Sequence, residues 1–431
     1  MNPVRNSSGA LAAQALGAAG QIPPELPGTH RAAEQRSIIS NGVKGSTMDF
    51  EISEDDKLTR EAARNFVKRV LLPLENDLLY KEPTLSKEVM DMLKKKAKET
   101  GFWGFRMPEE FGGLGASVLG LCLVEEEFAQ TIIPFDFGDV TPILFHCNEE
   151  QKRKYLDPAF EGTKQYSLAL LEPGNSRLES LKTRASKENG HYVIEGQKLV
   201  MQAIDIGEFV ITFAVTDPEK PPREGVTCFL VDRDTPGLIT SGGGENVGWQ
   251  VKLIKPIVLS FNRCKIPAEN ILGEIGSAFY LGAKWLPSRR IIRAARCVGV
   301  GKRLLKVCCE YAKLWEIFGR TISEQTRVQR ILADMATDIK AAMLMVYHAA
   351  CMADKGEGIR REAAMVKVFA TEMVNRAADR TVQLHGGPAY TKGLSVERLC
   401  RNAIADSFNE EALELQRAII ARDILQGISL Y

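Results

Sequence analysis

From about residue 48 to 165 the apolar positions recur at helical spacing. Leu58, Ala62, Phe66 and Val70 fall on one stripe, Met90, Met92 and Leu93 belong to a second helix, and Leu121 to Phe128 to a third. "MPEEFGGLGAS" reads as a glycine turn between helices. From about 166 to 275 the pattern changes to short β-rich runs: "YSLALL", "HYVIEG", "EFVITFAV", "VTCFLVD" and "PIVLSF". Asp217-Pro218, Pro236-Gly237 and Gly242 to Gly244 punctuate them. The helical period then returns over 285–316, 325–354, 361–384 and 411–426. This order predicts an α+β fold: an N-terminal helical domain (48–165), a middle antiparallel β domain (166–276) and a C-terminal four-helix-bundle-like domain (277–431). The sheet is expected to pack against helices on both sides.

Residues 1–47 are different material. "SSGALAAQALGAAGQIPPELPG" has little to bury and reads as a disordered tail, or as sequence ahead of a true start at Met48. Gln14 and the glycines interrupt any apolar stretch a signal peptide would need. Arg5, Arg31, Arg36 and the scarcity of acids leave an organellar transit peptide as the alternative.

Composition narrows the classes. With 45% hydrophobic and 26% charged residues, the 431-residue chain reads as soluble and globular, long enough for two or three domains. A net charge of +1 gives no footprint for nucleic acid. No apolar run approaches the roughly 20 residues of a membrane span. The nine cysteines lie mostly in apolar segments such as "VCCEY" and "AARCVG", without zinc-type spacing. That usage fits a reducing, cytoplasmic setting. His146, His191 and His348 show no ligand spacing either.

The densest candidate chemistry is "DSFNEEALELQ", Asp406 to Gln416. Ser407 with Glu410 three residues on is a capping box, and Leu413, Ile420 and Ile424 continue a helix. Glu410 and Glu411 are thus either helix-start decoration or a pair containing a catalytic base.

Five phrases in order resemble the acyl-CoA dehydrogenase family from residue 48 onward. "MPEEFGGLGAS" is similar to its Pro-Glu-x-x-Gly-Gly-x-Gly loop, and "EEQKRKYLDPAFEG" to its link into the β domain. "KIPAENILGEIG" resembles the end of that domain, "QLHGGPAY" its Gln-x-x-Gly-Gly-x-x-Tyr segment and "NEEALELQRAIIARDIL" its last helix. The resemblance implies FAD, an acyl-CoA thioester substrate and a place in fatty acid metabolism. It further implies a tetramer, homomeric or heteromeric, that passes electrons to an electron-transferring flavoprotein. Such chemistry needs a carboxylate to take the α proton, donors for enolate-like charge and a flavin to accept hydride. By the resemblance Glu410 is the base. Gln383, His385, Gly386, Gly387, Phe318 and Gly319 are cofactor-binding, and Arg290 is substrate-binding.

The pattern also departs from the family. Leu171 replaces a hydroxyl expected near the flavin ring, and Val200, Met201 and Gln202 replace an indole and a hydroxyl. Trp315 stands where an arginine would neutralise pyrophosphate, Thr326 where a glutamine is usual, and Glu411 where glycine is usual. Arg289, Arg293, Arg296 and Arg303 recur at helical spacing and read as a solvated face, with a phosphate clamp as the sharper alternative. Three readings stay open: the dehydrogenase-like flavoenzyme; a non-catalytic or half-catalytic subunit beside a flavin-competent partner; and a flavoenzyme of the same fold acting on another acidic C–H bond.

Overall fold

The computed structural model describes residues 52–75, 85–133, 135, 137–175, 180–203, 206–242, 255–408 and 412–427, without the side chains of 201–203 and 255. Residues 1–47, Glu410 and Glu411 lie outside the described residues. Ser53 opens α1 (Glu54–Phe66) by accepting the Asp56 N–H, with three acids in the first turn where the helix dipole favours them. The buried face is Ala63, Phe66, Val67 and Leu71, one position away from the expected stripe, and Leu58 is 63% exposed. Charge decides the rotation, because Arg60 and Arg64 of α1 reach buried acids on a neighbouring helix.

That neighbour is α3 (Val118–Phe128), which follows α2 (Lys87–Glu99). Every residue of α3 from Leu119 to Phe128 is buried, as in a helix enclosed on all sides. Its end joins a phenylalanine cluster: the Phe128 ring meets Phe66, Phe102 and Phe105 edge-on and stacks on Phe137.

The middle region forms a sheet of β1 (Tyr166–Ala169), β2 (Arg184–Glu188), β3 (His191–Ala203), β4 (Phe209–Val215), β5 (Val226–Asp232), β6 (Leu238–Gly242), β7 (Lys255–Pro267) and β8 (Ile271–Leu272). The order is β6-β7-β3-β2-β4-β5-β8, with β1 added to β4. Most ladders are antiparallel, but β1 runs parallel to β4, and β2 touches β4 in parallel at Arg184–Val215. Strand alternation gives β4 two apolar faces. Phe209, Ile211 and Phe213 meet Leu144, Tyr155 and Leu156 of the preceding helical region. Val210 and Ala214 meet Ile194, Leu259 and Phe261 of β3 and β7. Among the described residues the second face therefore closes on the sheet's own strands, where a helical layer was expected.

The C-terminal helices are α4 (Leu286–Leu314), α5 (Thr326–Asp354), α6 (Arg360–His385), α7 (Ser395–Ala405) and α8 (Leu413–Leu425). Sequence periodicity did not single out α7. Cys308 of α4 donates to Thr381 of α6, and Tyr311 to the His385 carbonyl, so contact numbers rise together and the two helices run parallel. Residues of α3 share one core with α4, α5, α6 and α7. α4 lies close on α3 at Gly299, where a Cβ would sit 2.3 Å from the Glu126 carbonyl oxygen. No helix among the described residues is long and apolar enough to cross a membrane.

Candidate active site

The carboxyl ends of α4 and α6 build one half of the expected site. α6 stops at His385 because Gly386 takes φ 66° and ψ −142°, a conformation open essentially to glycine alone. A Cβ on either Gly386 or Gly387 would meet nothing within 4 Å, so the chain here presents bare backbone to open space. His385 is buried, and its Nδ1 lies 2.8 Å from the Thr381 carbonyl, which only accepts, so Nδ1 carries the proton. Burial pushes the imidazole below its ordinary pKa despite that carbonyl, which keeps the ring neutral with Nε2 as an acceptor.

The His385 ring stacks on Tyr311 at 4.3 Å, and Tyr311 stacks on Trp315 at 5.4 Å. This three-ring ladder was not anticipated from sequence. Its outer rung borders the hairpin of β9 (Glu316–Ile317) and β10 (Arg320–Thr321), turned by Phe318 and Gly319. Both turn residues have positive φ, which is unusual for phenylalanine, and Phe318 is 99% exposed. Gln383 and Thr326 are exposed at the same end. The bare glycine backbone and neutral His385 suit a planar, uncharged or anionic group. Trp315 supplies stacking where a cation was expected.

Arg290 lies at the opposite end of α4, about 31 Å from Tyr311 along the helix. The structure therefore does not bring the sequence-predicted residues together in one chain. The neighbouring arginines are not a solvated face. Arg296 is 10% exposed in its side chain, and lies 3.6 Å from Glu125 of α3 and 3.7 Å from Asp406. Arg293 meets Asp406 at 3.7 Å and Arg303 meets the buried Glu75 at 3.0 Å. Arg106 donates to Glu125. Burial opposes ionisation of Glu125, but the Arg106 and Arg296 guanidiniums hold its carboxyl below the usual carboxylate value.

Sequence reasoning missed these acids. Their signal was present: "EEEF" inside the apolar run of α3 places three consecutive carboxylates where every side of the helix is buried.

Ser407 is not the cap of the last helix. α8 begins at Leu413 with Ala412 as N-cap and no side-chain bond, while the Ser407 hydroxyl accepts from Asn375 Nδ2 at 2.9 Å. Asp406, Ser407 and Phe408 instead close α7, and helix-type periodicity alone could not separate the two helices.

On the β side, Leu171 pairs with Leu199 through an isolated bridge. Val200 is buried in the sheet core, so that position faces inward, and the Gln202 side chain is outside the described residues. Beneath the bridge Glu172 accepts the Lys182 and Thr183 N–H groups at 2.8 Å each and pairs with Lys198 at 3.1 Å. Burial lowers the Lys198 ammonium to about 8, with Glu172 pulling it back upward.

A folded pKa below the ordinary lysine value means that the unfolded chain binds the extra proton between about pH 8 and 10.4, so this group adds stability as pH rises. Between pH 7.5 and 10 the stability of the parent relative to Lys198→Met should therefore rise by about 2–3 kcal/mol. Urea denaturation of both at each pH measures it. A gap that does not move with pH would show that Lys198 is not the titrating group.

The profile "Acyl-CoA dehydrogenase, N-terminal domain" matches residues 53–163, the middle-domain profile 167–258 and the C-terminal-domain profile 279–425. The chain is 33% identical over 402 residues to (R)-benzylsuccinyl-CoA dehydrogenase of Thauera aromatica, covering 88% of this chain and 97% of that one. It is 30% identical over 382 residues to a subunit of the caffeyl-CoA reductase–Etf complex of Acetobacterium woodii, covering 87% and 99%. A solved structure of PigA with FAD and proline superposes with a TM-score of 0.76 at 25% identity, covering 88% and 100%.

Proposed function

The chain belongs to the acyl-CoA dehydrogenase family, and from that premise we propose that it abstracts the α proton of an acyl-CoA thioester with Glu410. The family's members are FAD-binding flavoproteins and act on CH–CH bonds. FAD, when bound, supplies the acceptor for the β hydrogen as hydride. The observation that carries the reading is the Gly386–Gly387 backbone, held by a glycine-only conformation and open to a ligand. Arg290, buried at the far end of α4, orients the acyl group or the base.

One isoalloxazine ring cannot touch both ends of α4. Gly386, Gly387, Phe318 and Trp315 of one copy are therefore assigned to the cofactor of a second copy, whose own Arg290 and Glu410 face the substrate. Assembly as a tetramer satisfies this, homomeric or with a related chain. An electron-transferring flavoprotein is the proposed electron acceptor, in line with the Etf complex of the Acetobacterium relative.

A non-catalytic subunit is the second reading, and Trp315 and Leu171 favour it, since neither offers the charge or hydroxyl expected at a flavin. The PigA likeness favours a third, an acidic C–H substrate other than an acyl thioester.

The purified full chain, alone or with a related subunit, is expected to be yellow, or to become so on incubation with FAD. Absorbance spectra after desalting measure this. Absence of a flavin band in both preparations would remove the enzyme reading and leave the non-catalytic one.

A further inference from the structure

We propose that Lys94 is a site of acylation by acyl-CoA thioesters, its amine displacing the coenzyme A thiolate without help from the catalytic residues. The proposal goes beyond oxidation of the acyl group and treats the thioester as an acyl donor. Lys94 and Lys98 stand one turn apart on α2, so their ammonium groups are neighbours on one face. Both reach the same indole: Lys94 Nζ lies 5.3 Å and Lys98 Nζ 5.4 Å from the Trp103 ring centroid. An aromatic ring attracts a cation, but two cations gathered on one ring also repel each other.

Lys94 is also held in place. Its Nζ donates to the Gly162 carbonyl at 3.2 Å, and the Trp103 Nε1 that it borders donates to the Phe160 carbonyl at 2.8 Å. Gly162 has φ 68°, and a Cβ there would sit 3.0 Å from Lys94 Nζ and 3.1 Å from the indole. Residues 160–162 therefore pack on the amine through bare backbone. Lys94 is half-buried as a result, whereas the next residue, Lys95, has a side chain 78% exposed. This enclosure pushes the Lys94 ammonium below its ordinary pKa. The Lys98 charge pushes the same way, against the pull of Asp91 on α2 and of Glu161 beside Gly162.

A lysine enclosed beside another cation gives up its proton more readily, and the free amine is the nucleophile. Once neutral, Lys94 can keep one N–H on the Gly162 carbonyl and present its lone pair, while Lys98 retains the indole. The nitrogen attacks the thioester carbonyl carbon and forms the new C–N bond. The C–S bond breaks with its electron pair going to sulfur, and the proton shed by nitrogen ends on the thiolate. The products are an amide on Lys94 and free coenzyme A, with no change of oxidation state. Lys198 shares the lowered pKa but is 0% exposed and paired with Glu172, which keeps a thioester away from it.

The test is incubation of the purified full chain with acetyl-CoA, which has no β carbon and so cannot be dehydrogenated. Cleavage after glutamate releases Val89–Glu99, and fragmentation of that peptide reads acetyl groups on Lys94, Lys95, Lys96 and Lys98 separately. Lys94 is expected to be acetylated several-fold faster than Lys95 and Lys96, and its rate is expected to level off at a lower pH than theirs. Lys98→Gln removes the second cation and should slow Lys94 by about twofold, the worth of one like-charge contact across a helix turn. Lys98→Arg keeps the charge and should leave the Lys94 rate as in the parent. Lys98 is exposed, so neither variant disturbs folding. Acetylation of Lys94 no faster than of Lys95 and Lys96 would overturn the proposal, as would an unchanged Lys94 rate in Lys98→Gln.

Discussion

Glu410→Gln is expected to lower thioester-dependent turnover by roughly two to four orders of magnitude, the scale of losing a general base. Glutamine keeps the size and most of the hydrogen bonding of glutamate but cannot take the α proton at neutral pH. The start of α8 at Leu413 sharpens this expectation. A capping role would have coupled the residue to helix stability, yet α8 starts at Leu413 from Ala412 and Ser407 bonds to Asn375 instead. Stability should therefore change by less than about 1 kcal/mol, below the usual worth of a lost cap.

The later helix start also weakens an objection to a raised carboxyl pKa at Glu410. The helix dipole acts chiefly on the first turn, and Glu410 precedes the N-cap by two positions. Glu411→Gly restores the residue usual in the family and should leave turnover intact or improved. The measurement is flavin bleaching by substrate in anaerobic stopped flow for both variants. Bleaching by Glu410→Gln at the parent rate would end the claim that this residue is the base.

How much of this was legible in the sequence depended on which force shaped each element. Long apolar periods gave α4, α5 and α6 to within two residues of their ends, because hydrophobic burial sets those helices. Periodicity failed where charge does the positioning. The face of α1 was read one residue off since Arg60 and Arg64 must reach Glu126 and Glu127. The arginines of α4 looked solvated because their partners, Glu125 and Asp406, lie some 170 and 110 residues away in sequence. A motif resemblance named Gly386, Gly387 and Arg290, but only the parallel run of α4 and α6 revealed that they sit at opposite ends. The Tyr311 rung between His385 and Trp315 carries no motif at all; it follows from helix geometry.

The second large effect falls on stability. Glu126 of α3 is fully buried, with Arg60 Nη2 at 3.3 Å and Lys302 of α4 donating to the same oxygen, Oε2. The carboxylate thus joins α1, α3 and α4 through one group. Glu126→Ala strands two cations that remain about three-quarters enclosed. Removing one member of a buried pair costs roughly 3–5 kcal/mol, because the remaining charge keeps its desolvation penalty without its partner. Arg60 retains Glu127 at 2.9 Å and Lys302 reaches some solvent, so the lower end, about 3 kcal/mol, is expected.

Lys302→Met alone leaves Glu126 with Arg60 only and should also destabilise. In the double variant, methionine no longer needs a partner, so its loss should fall short of the sum by about 1 kcal/mol or more. The exposed Lys57–Glu54 pair is the control, and its removal should change stability by less than about 0.5 kcal/mol. Urea denaturation of the four variants resolves these differences. Additive losses in the double variant would mean that Glu126 acts by filling space, and the ionic junction of the three helices would have to be given up.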